Sequence, residues 1–367
     1  MKIFILPLLV IALSAATRAQ DAKCDCPRVL DYVSSKIRTV YAGYPTKINA
    51  ANQSDYLKLE HKIKDAAPQI VDPDSCFLLA SKLTDFFKDL HLRVQYDWRY
   101  SEKFPERMAA IRSKRYREPK EVSRVSNKTG IRQLDSRTLL LCLPSFESDH
   151  KAIIDSLLAT YAARLARAAR LIVDLRGNDG GYDYVYSALL PLIYANPYLY
   201  YHYEILASPE AIEMYRENAA NKAHSKELRE FFSKAVKLME SRQGRFVSLS
   251  GKRVDTIRMD AVARNPSRGA LILDRGTMSA AENFVQAAIQ SKKVTTFGQN
   301  TGGAVDFTEV LWLKIPDFPQ LQLVVPVQRS TRLPEVALDN IGISPQVRIE
   351  EGEEPYAYIS TWWDRHP

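Results

Sequence analysis

The amino-acid sequence predicts an α/β protein in which a small helical domain precedes the α/β core. Residues 27–90 carry apolar side chains at helical spacing, with Pro and Asn or Asp between the segments. From Thr138 onward, short apolar runs typical of buried strands alternate with amphipathic helical segments, one of them predicted at 184–201. This alternation is typical of a sheet covered by helices, with its ligand site at the carboxyl ends of the strands.

The chain of 367 residues is long enough to bury a full core, and we divide it into five segments. They are a signal peptide at 1–19, a helical domain at 20–98, a basic connector at 99–137, an α/β core at 138–352 with a helical insertion at 208–243, and a C-terminal tail at 353–367. Lys2, followed by an apolar run and then small residues, is typical of a secretory signal. We therefore expect an exported protein, periplasmic or secreted, and no stable membrane insertion, because no later run reaches about 18 apolar residues.

Composition describes an ordinary globular protein, with 46% hydrophobic and 26% charged residues. The net charge is +8, and the segment from Arg99 to Arg132 alone holds eleven Lys or Arg against four Asp or Glu. This segment is either a solvated connector or a surface for an acidic partner. We expect no nucleic-acid partner, because an exported chain without a known binding module has little reason to meet one. The oligomeric state is not indicated.

Four cysteines suggest one disulfide and no zinc site. In an exported protein we expect Cys76 to pair with either Cys24 or Cys26, and we choose the Cys26–Cys76 pair as the hypothesis. Cys142 lies in an apolar run, where a buried inert thiol is the usual case. The spacing of these residues and the scattered histidines match no zinc-binding pattern.

The segment GTMSAAENF raises the main functional question. Ser279, followed three residues later by Glu282, has the spacing of a helix capping box. Ser279 is equally placed to be a nucleophile at the start of a helix. Earlier in the chain, LIVDLRGNDGG ends an apolar run with Gly180 and Gly181, which favours either an anion-binding turn of backbone amides or merely a tight connection.

The ordered set LIVDLRGNDGG, LILDRGTMSAAENF, VTTFGQNTGG and LDNIGISP resembles the tail-specific (C-terminal processing) serine protease family, which includes the tricorn core. The resemblance implies a spiral β/α core of the ClpP/crotonase type, a nucleophile at Ser279, and no metal or organic cofactor. It also implies an oxyanion site made of the Ala280 amide and an amide of Gly180 or Gly181. Thr277 would then cap the helix and leave the Ser279 hydroxyl free.

The base that the resemblance implies is a histidine. Members with a Ser-Lys dyad place lysine directly after G-x-x-T-x-G, where this chain has Ala304. The tricorn-like branch instead has a histidine ahead of the core, and DLHLRV makes His91 the candidate. His91 would otherwise serve as a positive charge at the end of a helix. In LDNIGISP the orienting acid would be Asp339, unless its Asp-Asn pair only forms a turn.

Several features depart from the family pattern or stay open. The family's PDZ domain does not fit into residues 92–136, and its final Asp is Gln346 here. Arg329 and Arg332 either bind a substrate carboxylate or lie solvated on a surface strand. Asp306 either binds a substrate amine or ends a turn. The insertion at 208–243 is either a lid or a peripheral helix pair.

These observations lead to one functional hypothesis with two alternatives. We expect an exported serine peptidase that cleaves peptide or protein substrates, with Ser279 as nucleophile, His91 as base and Asp339 as orienting acid. The first alternative is a non-catalytic protein that binds a ligand or peptide on the same fold. The second is an esterase that uses the same residues.

Overall fold

The computed structural model describes residues 24–115, 128–350 and 352–366. The predicted signal peptide at 1–19 and part of the basic connector therefore lie outside the described residues. The helices are α1 (Cys26–Thr39), α2 (Tyr44–Lys47), α3 (Gln53–Ala66), α4 (Pro73–Asp85), α5 (Trp98–Lys103), α6 (Pro105–Arg115), α7 (His150–Leu165), α8 (Asp183–Tyr186), α9 (Leu190–Ile193), α10 (Pro209–Ala220), α11 (Lys226–Glu240), α12 (Ala280–Ala288) and α13 (Pro355–Arg365). The strands are β1 (Arg93–Tyr96), β2 (Gly130–Gln133), β3 (Thr138–Cys142), β4 (Arg170–Asp174), β5 (Tyr198–Tyr201), β6 (Tyr203–Leu206), β7 (Phe246–Ser248), β8 (Val254–Ile257), β9 (Arg268–Leu273), β10 (Val294–Gly298), β11 (Phe307–Ile315), β12 (Phe318–Ser330) and β13 (Val347–Arg348).

A mostly parallel sheet forms the centre of the α/β core. Its strand order is β13-β10-β9-β4-β3-β2, and only the edge strand β2 runs antiparallel to its neighbour. The inner strands β4 and β9 are continuous apolar runs because helices cover both faces of the sheet. Since β3, β4, β9 and β10 are parallel, the loops that follow them all leave from the same edge.

Helices cover the two faces of this sheet unequally. On one face α7, α8, α9 and α12 pack against the strands around Phe146 and Phe284. On the other face lies α13, with Trp363 only 1% exposed. The segment 353–367, which we predicted as a tail, is therefore mostly a docked helix. Among the described residues, α13 is the helix that packs in the apolar cluster on this face, so its aromatic side chains become part of the core.

A second sheet carries the helical region. In it β12 pairs with β1, β11 and β6, and β6 pairs in turn with β7. All of these pairs are antiparallel. The first four helices pack on this sheet and share one apolar cluster with α10 and α11. A disulfide joins Cys26 of α1 to Cys76 of α4. The insertion at 208–243 thus packs as a helix pair on the core.

The α/β class and the helical region are confirmed, while several element predictions were wrong. The connector at 99–137 contains α5, α6 and β2, because apolar residues such as Met108 and Ile111 are buried. The helix predicted at 184–201 breaks after Ile193 and ends in the strand β5, which pairs with β8. In the part of the chain that the structure describes, no helix has the length and apolar character needed to cross a bilayer.

Candidate active site

Ser279 occupies a strained turn between β9 and α12. Its φ of 55° and ψ of −122° place a non-glycine residue in left-handed backbone, which costs on the order of 1–3 kcal/mol. Ser279 itself is the N-cap of α12, so our prediction that Thr277 caps this helix was wrong. The Thr277 hydroxyl instead donates to the Leu175 carbonyl at 2.9 Å, which joins the loops after β4 and β9. A serine on such a strand-to-helix turn presents its hydroxyl at the edge of the sheet.

The fully buried carboxylate of Glu282 holds this turn in place. Its Oε2 accepts the Ser279 N–H at 3.0 Å and the Ala304 N–H at 2.7 Å. Its Oε1 accepts the Thr301 hydroxyl at 2.6 Å and the Gly303 N–H at 2.9 Å. In return the Ser279 side chain faces the Glu282 N–H, so the two residues form the capping box that their spacing suggested. We predicted Glu282 only as a capping partner, whereas it also ties the Ser279 turn to the loop after β10.

Burial raises the pKa of Glu282, and its four hydrogen bonds oppose that rise. All four donors are backbone or hydroxyl groups that point at the two carboxylate oxygens. An acceptor-only group satisfies them, which a neutral amide would not.

The glycine turn after β4 packs directly on the nucleophile turn. Gly180 and Gly181 have φ of 103° and 130°, which favours glycine. A Cβ added to Gly180 would lie 2.7 Å from the Ser279 Cβ. The Gly180 N–H already donates to Asn178 Oδ1 at 3.0 Å, so it does not fit the oxyanion role that we predicted as one option. Among the described residues, the N–H groups of Gly181 and Ala280 have no hydrogen-bond partner.

His91 lies in the turn that leads from α4 into β1. The helix ends at Asp85, so our prediction that His91 ends this helix was wrong. Its Nδ1 is 2.7 Å from the Phe307 carbonyl oxygen. Because that oxygen only accepts, Nδ1 must carry the proton, which leaves the Nε2 lone pair available in the neutral ring. Burial lowers the pKa of His91, and the Asp89 carboxylate partly opposes this effect.

Asp339 is buried against the helical region. Its Oδ2 accepts from Lys47 Nζ at 2.6 Å, and its Oδ1 accepts the Asp306 N–H at 3.3 Å. Burial raises the pKa of Asp339, the Asp89 carboxylate raises it further, and Lys47 opposes both. Within the ranges 24–115 and 128–350, no hydrogen bond joins His91 to Ser279 or to Asp339. Asp339 contacts the His91 region through Lys47 and the backbone of Asp306.

Asp306 and Arg332 neutralise each other inside the protein. They are 1% and 5% exposed, and Arg332 Nη2 donates to Asp306 Oδ1 at 3.1 Å. The other oxygen of Asp306 accepts the N–H groups of Leu338 and Asp339, so Asp306 organises the turn that carries Asp339. This geometry does not support our prediction that Arg332 and Asp306 bind the charged ends of a substrate, because each already has its counter-charge.

Arg329 also has a protein partner. Its Nε and Nη2 donate to Glu204 Oε2 at 3.0 and 2.9 Å, and its guanidinium stacks 3.6 Å from the centre of the Phe246 ring. The guanidinium is therefore engaged on the second sheet, which does not favour the predicted clamp for a substrate carboxylate.

One short segment, residues 303–307, contacts Glu282, Asp339 and His91. Gly303 and Ala304 bind Glu282, the next two residues meet Arg332 and Asp339, and Phe307 holds the imidazole. Lys47 and Phe307 are the members that we did not predict from the sequence. A lysine in a helical region looks like any solvated lysine, and a backbone carbonyl carries no side-chain signal.

The comparisons with known proteins agree with this geometry. Residues 137–349 match the model of peptidase family S41. Mature CPAF complexed with lactacystin has 11% identity and a TM-score of 0.60, covering 93% of this chain and 97% of that chain. Mature CPAF alone has 10% identity and a TM-score of 0.58, covering 88% and 92%. A lipoprotein from Streptococcus agalactiae has 12% identity and a TM-score of 0.52, covering 100% of both chains. A search of curated proteins finds no match.

The solved structures support the fold alone, since their identities are low, whereas the family match covers more than half of the 367 residues. The resemblance to the tail-specific proteases is thereby confirmed. The chain belongs to peptidase family S41 and is a serine-type peptidase of the tail-specific family, with peptides or proteins as its substrates.

Proposed function

We propose that this peptidase cleaves peptide bonds by a Ser-His-Asp mechanism, with Ser279 as nucleophile, His91 as general base and Asp339 as the supporting acid. The observation that carries this proposal is the position of Ser279. It sits in left-handed backbone at the N-terminus of α12, beside the N–H groups of Ala280 and Gly181, which have no partner within the described part of the chain. A helix N-terminus and free amides are what a developing oxyanion requires.

In the acylation step, Ser279 Oγ attacks the carbonyl carbon of the scissile bond while His91 Nε2 accepts its proton. The carbonyl oxygen becomes an oxyanion that accepts from the Ala280 and Gly181 amides. When the C–N bond breaks, its electron pair takes the proton from His91, and the amine leaves. The product is an ester between the substrate acyl group and Ser279.

In the deacylation step, water replaces the amine. His91 Nε2 accepts one water proton as the oxygen attacks the ester carbon, and it then gives that proton to Ser279 Oγ as the ester bond breaks. The lowered pKa of His91 supports this role, because the ring stays neutral and able to accept a proton near neutral pH. The donor contact of Nδ1 with Phe307 leaves Nε2 as the accepting nitrogen.

A fluorophosphonate probe tests the nucleophile. We expect covalent labelling of Ser279 in the parent, none in Ser279→Ala, and a labelling rate about 100-fold lower or more in His91→Ala. Ser145→Ala is the matched control, because this serine follows β3 at the same edge of the sheet and its hydroxyl accepts the Glu147 N–H. An unlabelled parent, in a sample where a control serine hydrolase is labelled, would rule out the mechanism.

Comparing peptides with simple esters tests the reaction class. We expect the parent to cleave members of a peptide library and Ser279→Ala to cleave none. Turnover of esters without any peptide cleavage would contradict the proposed reaction and favour the esterase alternative.

We further propose that the protein is exported to the periplasm or secreted. The apolar run after Lys2 supports this, as does the disulfide between Cys26 and Cys76, since such bonds persist in oxidising compartments. Sequencing the N-terminus of the protein recovered from its native cells tests it. A mature chain that begins near Gln20 is expected, and a chain that keeps Met1 inside the cytosol would contradict export.

A further inference from the structure

We propose that Lys47 is a positioning residue for His91, and that it acts with Asp339 through the backbone carbonyl of Phe307. In this arrangement Asp339 supports the base without touching the imidazole. The inference rests on the proposed function of His91 and deepens it, because it names how the ring is held and which residue outside the α/β core holds it.

The Nζ of Lys47 contacts segments on both sides of His91. It donates to the Phe87 carbonyl at 3.0 Å, four residues before His91 in the chain. It also lies 5.2 Å from the centre of the Phe307 ring, the residue whose carbonyl binds the imidazole. A single ammonium group therefore bridges the turn that bears the base and the strand that orients it.

The third contact of Lys47 carries the charge. Its Nζ donates to Asp339 Oδ2 at 2.6 Å, and the side chains are 17% and 7% exposed. Asp339 in turn accepts the N–H of Asp306, the residue directly before Phe307. The ion pair thus fixes the backbone from which the Phe307 carbonyl points at His91. Its two members, Lys47 and Asp339, are 292 residues apart in the chain.

The surrounding charges explain why a cation is needed there. Asp339 lies near the carboxylates of Asp89 and Asp306, both of which raise its pKa. Asp306 is neutralised by Arg332, and Asp89 accepts the Tyr41 hydroxyl at 2.7 Å and the His91 N–H. On the side of β1, Arg93 is the cation that acts on His91. Without Lys47, Asp339 would be a buried carboxylate with one weak backbone donor, so it would take up a proton or move.

Lys36→Met is the matched control for Lys47→Met. Lys36 forms a similar ion pair with Glu210, with side chains 24% and 21% exposed, and it also joins the helical region to another part of the chain. Both substitutions remove one part-buried lysine from an ion pair. Only Lys47 contacts the segments that hold His91, so a general loss of stability affects both variants and a positioning effect only one.

The experiment measures three quantities in the parent and in both variants: the pH profile of kcat/KM on a cleaved peptide, the rate of fluorophosphonate labelling, and the ¹⁵N shifts of the imidazole nitrogens of His91. We expect Lys47→Met to lower kcat/KM and the labelling rate by about 100-fold with little change in KM. We also expect the acid limb of the kcat/KM pH profile to shift in Lys47→Met. Its His91 imidazole should no longer carry the proton on Nδ1 alone. Lys36→Met should keep the parent profile, labelling rate and tautomer.

A Lys47→Met protein that matches Lys36→Met in pH profile, labelling and tautomer would overturn the inference. If Lys47→Met does not fold, Lys47→Gln serves instead, since its amide can still donate to Asp339 without the charge, and changes in the same direction are expected. A failure of the proposed mechanism is distinguishable, because the parent itself would then go unlabelled at Ser279.

Discussion

The two halves of the proposed active site are built in different ways. The half around Ser279 consists of loops that follow adjacent parallel strands, tied together by the buried carboxylate of Glu282. The half around His91 consists of segments far apart in the chain, joined by the Lys47–Asp339 ion pair and the Phe307 carbonyl. The first half is held by neutral donors on one acceptor, and the second by buried charges.

This difference teaches where each half is vulnerable. Parallel strands bring their carboxyl ends together whatever the loop sequence, so the nucleophile half needs only small residues and one acceptor. The base half depends on charges that cost desolvation energy and are stable only when every partner is present. We therefore expect substitutions in the first half to act through steric overlap and lost hydrogen bonds. Substitutions in the second half should change the pH dependence of activity.

Gly180→Ala should have the largest effect on activity. A Cβ at this position would lie 2.7 Å from the Ser279 Cβ and 3.0 Å from the Ala280 nitrogen, so the nucleophile turn must move. We expect kcat/KM to fall about 100-fold or more. Gly244→Ala is the control, because Gly244 also has a positive φ of 76° but has nothing within 4 Å of an added Cβ. Gly244→Ala should lose roughly 1 kcal/mol of unfolding free energy because of its positive φ, and Gly180→Ala should lose more because of the overlap. Equal activities in the two variants would contradict the prediction.

Glu282→Gln should lower both stability and activity. The side-chain nitrogen of the new glutamine would face N–H groups that now donate to a carboxylate oxygen, those of Ser279 and Ala304. Each buried donor left unpaired costs about 1–3 kcal/mol. We expect the labelling rate of Ser279 to fall about tenfold or more. The control is Glu60→Gln, a buried glutamate that binds Ser34 and Arg38 in the helical region. It should be destabilised while its Ser279 is still labelled at the parent rate.

The pH dependence of the parent tests the base half. As the proposed base, His91 would act when neutral, and burial lowers its pKa below the usual 6.5, so protonation of His91 should not lower kcat/KM until the pH is below that value. Below the lowered pKa it should fall about tenfold per pH unit. Because the folded state disfavours the protonated ring, the His91 contribution to the free energy of unfolding is also lost as the pH falls below 6.5. An acid limb centred above 6.5 would show that a group other than His91 limits activity, and Asp339 is such a group because burial raises its pKa to about 8.

Arg329→Ala should have the smallest effect. The residue is about one-third exposed and lies opposite Phe307 in the β11–β12 register, but its guanidinium pairs with Glu204 and stacks on Phe246. We expect a loss of at most about 1 kcal/mol in unfolding free energy and a change in kcat/KM of less than about threefold. A rise in KM of tenfold or more for peptides with a free carboxyl terminus would instead support the hypothesis that Arg329 binds a substrate carboxylate.

Ser279 and the residues around it could be proposed from the sequence because the motifs that contain them are local. Ser279, Ala280, Gly180 and Gly181 lie in short segments whose order along the chain is characteristic of the family. Even there, details were wrong. Thr277 was predicted to cap α12, but its hydroxyl is used by Leu175, and the Gly180 amide is used by Asn178. Hydrogen bonds formed in the folded chain decide which groups stay free in these two cases, and no sequence spacing predicts such bonds.

The sequence by itself determined the α/β class, the helical region, and Ser279 and His91 as candidates, because strand and helix periodicity and short motifs depend on residues close in the chain. Only the tertiary structure decided the partners of the charged groups. In it Arg332 pairs with Asp306, and Lys47 pairs with Asp339. The Nδ1 of His91 contacts the carbonyl of Phe307, 216 residues away in the chain. The reason is physical: buried charges and polar hydrogens must find partners wherever the folded backbone brings them, and sequence distance does not enter that requirement.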